Sequence, residues 1–371
     1  MNKKTIGYFT TCSTNVGVFN QLVNLAINLD KSKYSAIFIL SNTIIENELI
    51  LRLKKNNIEV LSLNSNKYYN FLQLFKLVDL LKKKKIDILH TRLRRCDFYG
   101  NLSKFFYKSF VVNNIVDDHH DHFTKFHTFF SGILGKIYNI FLKQSDIILV
   151  NSQENLHYYN KLGYKVFFLN NGINTNLYKK NIRFREKLSL KHSLNNDSFN
   201  VGFVGEFKKI KGINLLFSII REFKNNKKIN FIICAGGNYL KKEFIEEFKD
   251  YKNVYYLGFV ENIIEYYSLF NIQIYTSHSE GMQNVMLESL SSGVPAICPD
   301  APGYSSIVDS KKGFLVERVY SEYVKKIIYL EKNRNILKDI SYSAERVVRS
   351  EHNFIEITRE LESIYMKFDY E

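Results

Sequence analysis

Short apolar, β-branched or aromatic runs recur along the whole chain, and most are followed by a longer stretch with helical periodicity. No other feature limits the fold so tightly. In the first half the strand-like runs are Thr5–Thr11, Ser35–Ser41, Ile58–Leu63, Ile86–His90, Phe110–Val116, Asp146–Asn151 and Lys165–Leu169. Between them, Val18–Leu29 sets Leu22, Leu25, Ala26 and Leu29 on one helical face, and Tyr69–Leu81 does the same with Leu72, Phe75, Leu77, Leu80 and Leu81. Repeated strand–helix–strand units predict an α/β fold, a parallel sheet wrapped by helices. The pattern pauses at Asn170–Asn200, a polar stretch that opens on the turn-like Asn170-Asn171-Gly172-Ile173-Asn174. It then resumes with strands at Phe199–Val204, Ile229–Cys234, Val254–Leu257, Ile272–Tyr275, Pro295–Cys298 and Phe314–Val316. Helices are expected at Lys211–Phe223, near Tyr239–Phe248, at Ile263–Leu269 and at Asn284–Leu290, and again from about Ser321 to Lys367. Two doubly wound, Rossmann-like domains follow, and in such sheets ligands bind beyond the carboxyl ends of the strands.

Two domains also suit a chain of 371 residues, 45% hydrophobic and 24% charged. No apolar run approaches the roughly 20 residues that span a bilayer. Ile6–Thr11 is too short for the core of a signal peptide and reads as a first strand. Cys12, Cys96, Cys234 and Cys298 are scattered and form no CxxC pair, which argues against a zinc site or disulfide framework and fits a reducing compartment.

Charge is uneven. Residues 1–175 carry 23 Lys+Arg against 12 Asp+Glu, a net of +11, whereas residues 176–371 carry 29 against 25, a net of +4. A basic first half suits an acidic partner: nucleic acid, anionic lipid or a phosphorylated substrate. AT-rich coding also yields a chain rich in Lys, Asn, Ile, Phe and Tyr, with three Pro and no Trp. It explains the total excess better than the asymmetry.

Four segments can carry chemistry. Ser277–Glu288 follows a strand and enters a helix near Gln283 or Asn284. The helix start offers backbone N–H groups to phosphate. Glu280 and Glu288 can accept from sugar or ribose hydroxyls, and Gly281 permits close approach. An ordinary loop-to-helix junction would look the same by spacing alone. In Val201–Gly212 a strand ends in a glycine turn followed by Lys208, Lys209 and Lys211, a candidate pyrophosphate clamp or a solvated basic loop. Asp117-Asp118-His119-His120-Asp121-His122 invites a metal, but adjacent residues on a short loop converge poorly on one ion. A single histidine placed at a strand end, or mere polarity, are the other readings. His90-Thr91-Arg92-Leu93-Arg94-Arg95, preceded by Lys82–Lys85, can face a phosphate or a membrane surface, or form a solvated helix end.

In combination these segments resemble glycosyltransferase family 4, retaining enzymes of the GT-B fold that use nucleotide sugars. The Glu-x7-Glu motif is matched by Glu280 and Glu288, and its continuation by Ser291-Ser292-Gly293-Val294-Pro295. Asn171-Gly172-Ile173-Asn174 matches the segment that closes the family's first domain, and Leu257-Gly258-Phe259-Val260 is also family-like. The resemblance implies an acceptor-binding domain over 1–175 and a nucleotide-sugar-binding domain over 176–352, facing each other across a cleft. A helix over about 353–371 is expected to pack back on the first domain.

Carried over residue by residue, the resemblance gives Glu280 the donor sugar hydroxyls and Glu288 the ribose. Gly281, Met282, Gln283 and Asn284 would offer backbone N–H groups, Lys211 would neutralise the diphosphate, and Gly17 would let the donor phosphate approach. His119 is assigned to the histidine near the reacting carbon; His90, Arg92 and His120 are assigned to the acceptor. The chain departs from the family at Glu206, where Arg is usual, so that Lys208 or Lys209 is expected to supply the second positive charge. It has one glycine, Gly17, where two are common, and Ser305 or Ser306 where the family has an acid.

No Asp-x-Asp motif is present, and the resemblance implies metal independence, with neither metal nor other cofactor expected. It also implies same-face attack in which the departing phosphate oxygen takes the acceptor's proton. The implied activity is transfer of a hexose or N-acetylhexosamine, from UDP by preference, to a glycan or lipid-linked acceptor in cell-surface polysaccharide biosynthesis. The expected setting is the cytoplasm, at the inner face of the cell membrane. The alternative is an inactive nucleotide-sugar-binding or scaffold subunit of a glycan assembly complex. Nucleic-acid binding lacks any recognisable module.

Overall fold

The computed structural model describes residues 3–11, 16–65, 71–115, 138–195, 197–278 and 284–367. The chain divides into two compact units, Met1–Gly172 with Phe354–Glu371, and Ile173–Asn353.

The first unit is built on β1 (Lys4–Thr10), β2 (Tyr34–Leu40), β3 (Glu59–Ser62), β4 (Ile88–Arg92), β5 (Phe110–Ile115), β6 (Ile147–Val150) and β7 (Val166–Phe168). They pair in parallel in the order β3-β2-β1-β4-β5-β6-β7, so winding reverses between β1 and β4. The middle strands are buried end to end, which is why they read as continuous apolar runs rather than alternating ones. Helices α1 (Val16–Asn28), α2 (Glu48–Lys55), α3 (Phe71–Lys84), α4 (Arg94–Ser103) and α5 (Gln153–Lys161) follow in chain order. Two of them announce their starts chemically: Asn47 accepts from the Ile50 N–H at 3.0 Å and Ser152 from the Asn155 N–H at 3.2 Å, each satisfying a donor the helix cannot.

Helix α3 corrects the sequence reading. Its buried stripe is Leu74, Leu77, Val78 and Leu81, the i, i+3, i+4, i+7 set. Leu72 and Phe75, expected on that face, lie outside it and are 66% and 59% exposed, beside Phe71 at 74%.

The C-terminal helix, Phe354–Met366, returns to this unit. Ile357, Leu361, Ile364 and Tyr365 join Leu22, Leu25 and Ala26 of α1 in one core. Gly172 sits under Phe354, where a Cβ would lie 2.3 Å from the ring, so only glycine permits that approach. Gln21 grips the same glycine from α1, donating to its carbonyl at 2.8 Å and accepting from its N–H at 2.9 Å.

The second unit runs α6 (Ile182–Lys191), β8 (Phe199–Phe207), a 3₁₀ turn at Lys209–Lys211, α7 (Ile213–Arg221), β9 (Ile229–Gly237), α8 (Lys241–Phe248), β10 (Val254–Tyr256), α9 (Ile263–Tyr267) and β11 (Ile272–Ile274). It continues through α10 (Asn284–Ser291), β12 (Ala296–Pro299), α11 (Pro302–Ser305), β13 (Gly313–Val316), α12 (Tyr320–Lys332) and α13 (Arg334–Glu351). Its strands are also parallel, in the order β10-β9-β8-β11-β12-β13, with the reversal between β8 and β11. Among the described residues no helix is long and apolar enough to cross a membrane.

Candidate active site

In a doubly wound sheet, ligands bind in the crevice beyond the strand ends at the reversal. In the second unit that point lies after β8 and β11. The chain leaving β8 turns through Lys209–Lys211 and enters α7 at Gly212, whose φ of +64° is left-handed. A Cβ at Gly212 would lie 2.0 Å from the Thr276 carbonyl oxygen and 2.8 Å from Nη2 of Arg318, so glycine is required by conformation and by space. Thr276, just beyond β11, donates its hydroxyl to the Lys211 carbonyl at 2.7 Å. Arg318, just beyond β13, donates Nε–H to the Thr276 carbonyl at 3.1 Å. Three strand ends are thereby tied together around one turn.

Lys211 is half-buried in this turn and Lys209 is exposed. Lys208 is ion-paired with Glu206, so its charge is offset within its own loop. Ser277 is buried and His278 exposed. Partial desolvation and then the Arg318 charge hold the His278 ring below its ordinary pKa.

Helix α10 begins at Asn284, half-buried, and buries Met286, Leu287 and Leu290. Glu288 lies on its other face, where its Oε2 accepts from the Tyr267 hydroxyl at 2.9 Å. Burial pushes the Glu288 carboxyl above its ordinary pKa, and contacts with the Tyr267 and Tyr178 phenols pull it part of the way back. Both tyrosines are driven above their ordinary range, first by burial and then by the Glu288 charge, and so stay neutral and able to donate. Their rings meet edge-on with centroids 6.2 Å apart. The result is a glutamate kept beside two phenols in a partly enclosed place, a ready acceptor for hydroxyl groups.

Glu288, Asn284 and Lys211 thus belong to one unit. Glu280, Gly281, Met282 and Gln283 lie outside the described residues, as do His119 and His120 with the acidic cluster around them. Gly17 stands half-buried in the first turn of α1. His90 and Arg92, assigned above to the acceptor, both lie on β4. The strand runs on to Arg92 instead of ending at His90, and both side chains are buried, at 0% and 3% exposure. His90 shares Nδ1 with the Tyr365 hydroxyl at 2.6 Å and Nε2 with the Asn114 amide at 3.3 Å. Burial, then the Arg92 charge, lowers its pKa to about 3, so it is a neutral core histidine.

Sequence reasoning missed Tyr267 and Arg318. Tyr267 is hidden in the aromatic pair Tyr266-Tyr267. Arg318 follows a strand by two residues, a position that would have singled it out had the strand order been known.

Two family descriptions match the chain: Glycosyltransferase Family 4 over residues 17–177 and Glycosyl transferases group 1 over residues 184–347. The chain belongs to this family of glycosyltransferases, of GT-B type. Among relatives, the capsular polysaccharide biosynthesis glycosyltransferase CapM of Staphylococcus aureus is 29% identical over 58% of this chain and 57% of its own length. The O-antigen biosynthesis glycosyltransferase WclY of Escherichia coli is 23% identical over 68% of this chain and 71% of its own. Among solved structures, HepE of Anabaena in complex with UDP superposes with a TM-score of 0.82 at 17% identity, covering 98% of this chain and all of HepE. Sucrose-phosphate synthase of Thermosynechococcus elongatus gives 0.80 at 14% identity, covering 99% and 100%. At such identities the structural likeness concerns the fold.

Proposed function

We propose that the chain is a retaining glycosyltransferase that takes a hexose or N-acetylhexosamine from a nucleotide diphosphate sugar, UDP by preference, and delivers it to a glycan or lipid-linked acceptor of a surface polysaccharide. The observation that carries this reading is the pairing, in one doubly wound unit, of a Lys211 turn at the strand-order reversal with a Glu288 presented by two phenols. The first suits a diphosphate and the second a ribose. The names of CapM and WclY support the surface-polysaccharide assignment. The UDP and UDP-glucose complexes of HepE support the donor class.

In the reaction the bond between the anomeric carbon and the diphosphate oxygen breaks and the acceptor oxygen bonds to that carbon from the same face. The leaving oxygen takes the acceptor's proton, so no separate protein base is required. Negative charge grows on the diphosphate, and fixed cations and backbone N–H groups aimed at it lower the barrier. This assigns the charge to protein groups and asks nothing of a metal ion.

A membrane-face setting at the cytoplasmic side belongs to the same proposal. Phe71, Leu72 and Phe75 of α3 and Phe105 and Phe106 after α4 are all at least half exposed, and the Phe75 and Phe106 rings lie 6.2 Å apart. Exposed Lys76, Lys82, Lys83 and Lys108 share these elements. Apolar side chains among lysines suit an anionic lipid surface. The pairing of Glu206 with Lys208 favours the second reading, an inactive binding subunit.

The test is donor turnover across a panel of nucleotide sugars, with Glu288→Ala and Lys211→Ala as variants. Both should release nucleotide far more slowly than wild type. Unchanged release in both removes these residues from the site, and nucleotide binding without turnover in wild type favours the inactive subunit.

A further inference from the structure

The charge balance at the Lys209–Gly212 turn leaves room for a cation that nothing so far assigns. Of the basic groups in this loop, Lys208 is ion-paired with Glu206 and Lys209 is exposed. Arg318 differs from both. It is only half-buried. Its Nε–H is fixed on the Thr276 carbonyl at 3.1 Å, and its Nη2 lies 2.8 Å from where a Cβ on Gly212 would be. The guanidinium is therefore anchored at one edge and held against the turn that also carries Lys211. Among the described residues no carboxylate forms an ion pair with it, although Glu317 is its neighbour in sequence and exposed. Its charge is felt by His278, on the segment that leads towards α10.

An arginine that is positioned, solvent-reachable and without an acidic partner is suited to a phosphate, for which the planar guanidinium offers two parallel N–H groups. The anchoring bond uses Nε–H and leaves Nη1 and Nη2 for a ligand. We propose that Arg318 is the second cation of a diphosphate-binding subsite at the Lys211–Gly212 turn, contributed from beyond β13 and standing in for the charge that Lys208 gives to Glu206. This deepens the donor reading above and rests on it. The ligand class is a nucleoside diphosphate, with the guanidinium on the diphosphate oxygens. The same contact would hold the leaving group once the sugar bond breaks, where an already oriented cation stabilises the developing charge without rearrangement.

Calorimetric titration with UDP, GDP and ADP identifies the preferred nucleoside diphosphate, and the matching nucleoside, which has no phosphate, serves as the control. Arg318→Gln should weaken diphosphate binding roughly tenfold or more, the range for losing a charge-assisted hydrogen bond. Nucleoside binding should stay within twofold of wild type. Arg318→Lys, which keeps the charge and loses the fork, should fall between the two. Equal diphosphate affinity in wild type and Arg318→Gln overturns the assignment of Arg318 and leaves the donor reading standing. A parallel loss of diphosphate and nucleoside binding shows that Arg318 only supports Thr276, which also overturns it. If wild type binds none of the three diphosphates, the donor reading falls and this inference falls with it.

Discussion

Tyr267→Phe removes one hydroxyl, whose short bond is to Glu288 at 2.9 Å and whose long contact is to the Val285 carbonyl at 3.5 Å. The ring is fully buried and stays in place, and only the hydroxyl that reaches Glu288 across 2.9 Å is lost. Because the acceptor is an ionisable and largely enclosed carboxylate, the loss falls in the range for hydrogen bonds to charged groups, about 1.5–3 kcal/mol. Its pH dependence has a definite sign. The folded-state pKa of Glu288 already lies above the ordinary 4.5, because burial outweighs the phenol contacts. Without the Tyr267 hydroxyl it rises further. A carboxyl whose folded pKa exceeds its unfolded one is penalised when ionised, and the penalty is relieved as pH falls through the folded value and the folded state takes up its proton first. The variant should therefore be less stable than wild type by about 1.5–3 kcal/mol near pH 8 and approach wild type as the medium is acidified. Urea unfolding across that range reads the difference, repeated in a Glu288→Gln background where the charge is absent. There the Tyr267→Phe cost should drop to that of a neutral bond, about 1 kcal/mol or less. A cost that is the same at both ends of the pH range and in both backgrounds would refute the reasoning, since Tyr267 would then act by packing and not by holding an anion.

Two further outcomes are expected. His90 is neutral in the core with a pKa of about 3 against 6.5 when unfolded, so it contributes no penalty above 6.5 and an increasing one as pH falls towards 3. At about 1.36 kcal/mol per unit this approaches 5 kcal/mol, and His90→Gln should flatten acid unfolding accordingly; an unchanged acid slope would contradict the burial argument. The combined variant Phe71→Ser, Phe75→Ser, Phe106→Ser should lose most retention on vesicles of phosphatidylcholine with phosphatidylglycerol while keeping donor affinity. Retention equal to wild type removes the membrane role of this patch.

Much of the fold was legible because buried parallel strands are short apolar runs and little else makes such runs at this spacing. Ile147–Val150 and Ile229–Gly237 lie within two or three residues of where composition put them. The misses have particular causes. Helices α2 and α5 are short, and their clearest signals are capping side chains, Asn47 and Ser152, rather than periodicity. In α3 several registers of Leu and Phe fit a helical stripe, and which one faces inward is decided by the sheet it covers. The strand β4 was expected to end at His90 because Thr91 and Arg92 are polar, and hydrogen bonds with Tyr365 and Asn114 make it possible to bury the histidine. Those partners come from other elements and cannot be read locally.

The same limit governs the charged loop after β8. Its three lysines look equivalent along the chain, and spacing says nothing about which of them a ligand would meet. Their charge is apportioned by neighbours: Glu206 takes up Lys208, and the third strand end brings in Arg318, which no local pattern connects to Lys211. Strand order is what makes that connection, because β8, β11 and β13 lie on one sheet and release their chains at one edge. A motif can therefore name a candidate carboxylate such as Glu288 from its own helix, although the phenols that hold it, Tyr267 and Tyr178, come from elsewhere. The cation that meets a phosphate is decided by the balance of charge over several loops, and a substitution such as glutamate at position 206 is tolerable when another loop restores that balance. In such a sheet, an arginine that leaves a strand further along the same edge, with no acidic partner among the described residues, can do this without any change in the motif itself.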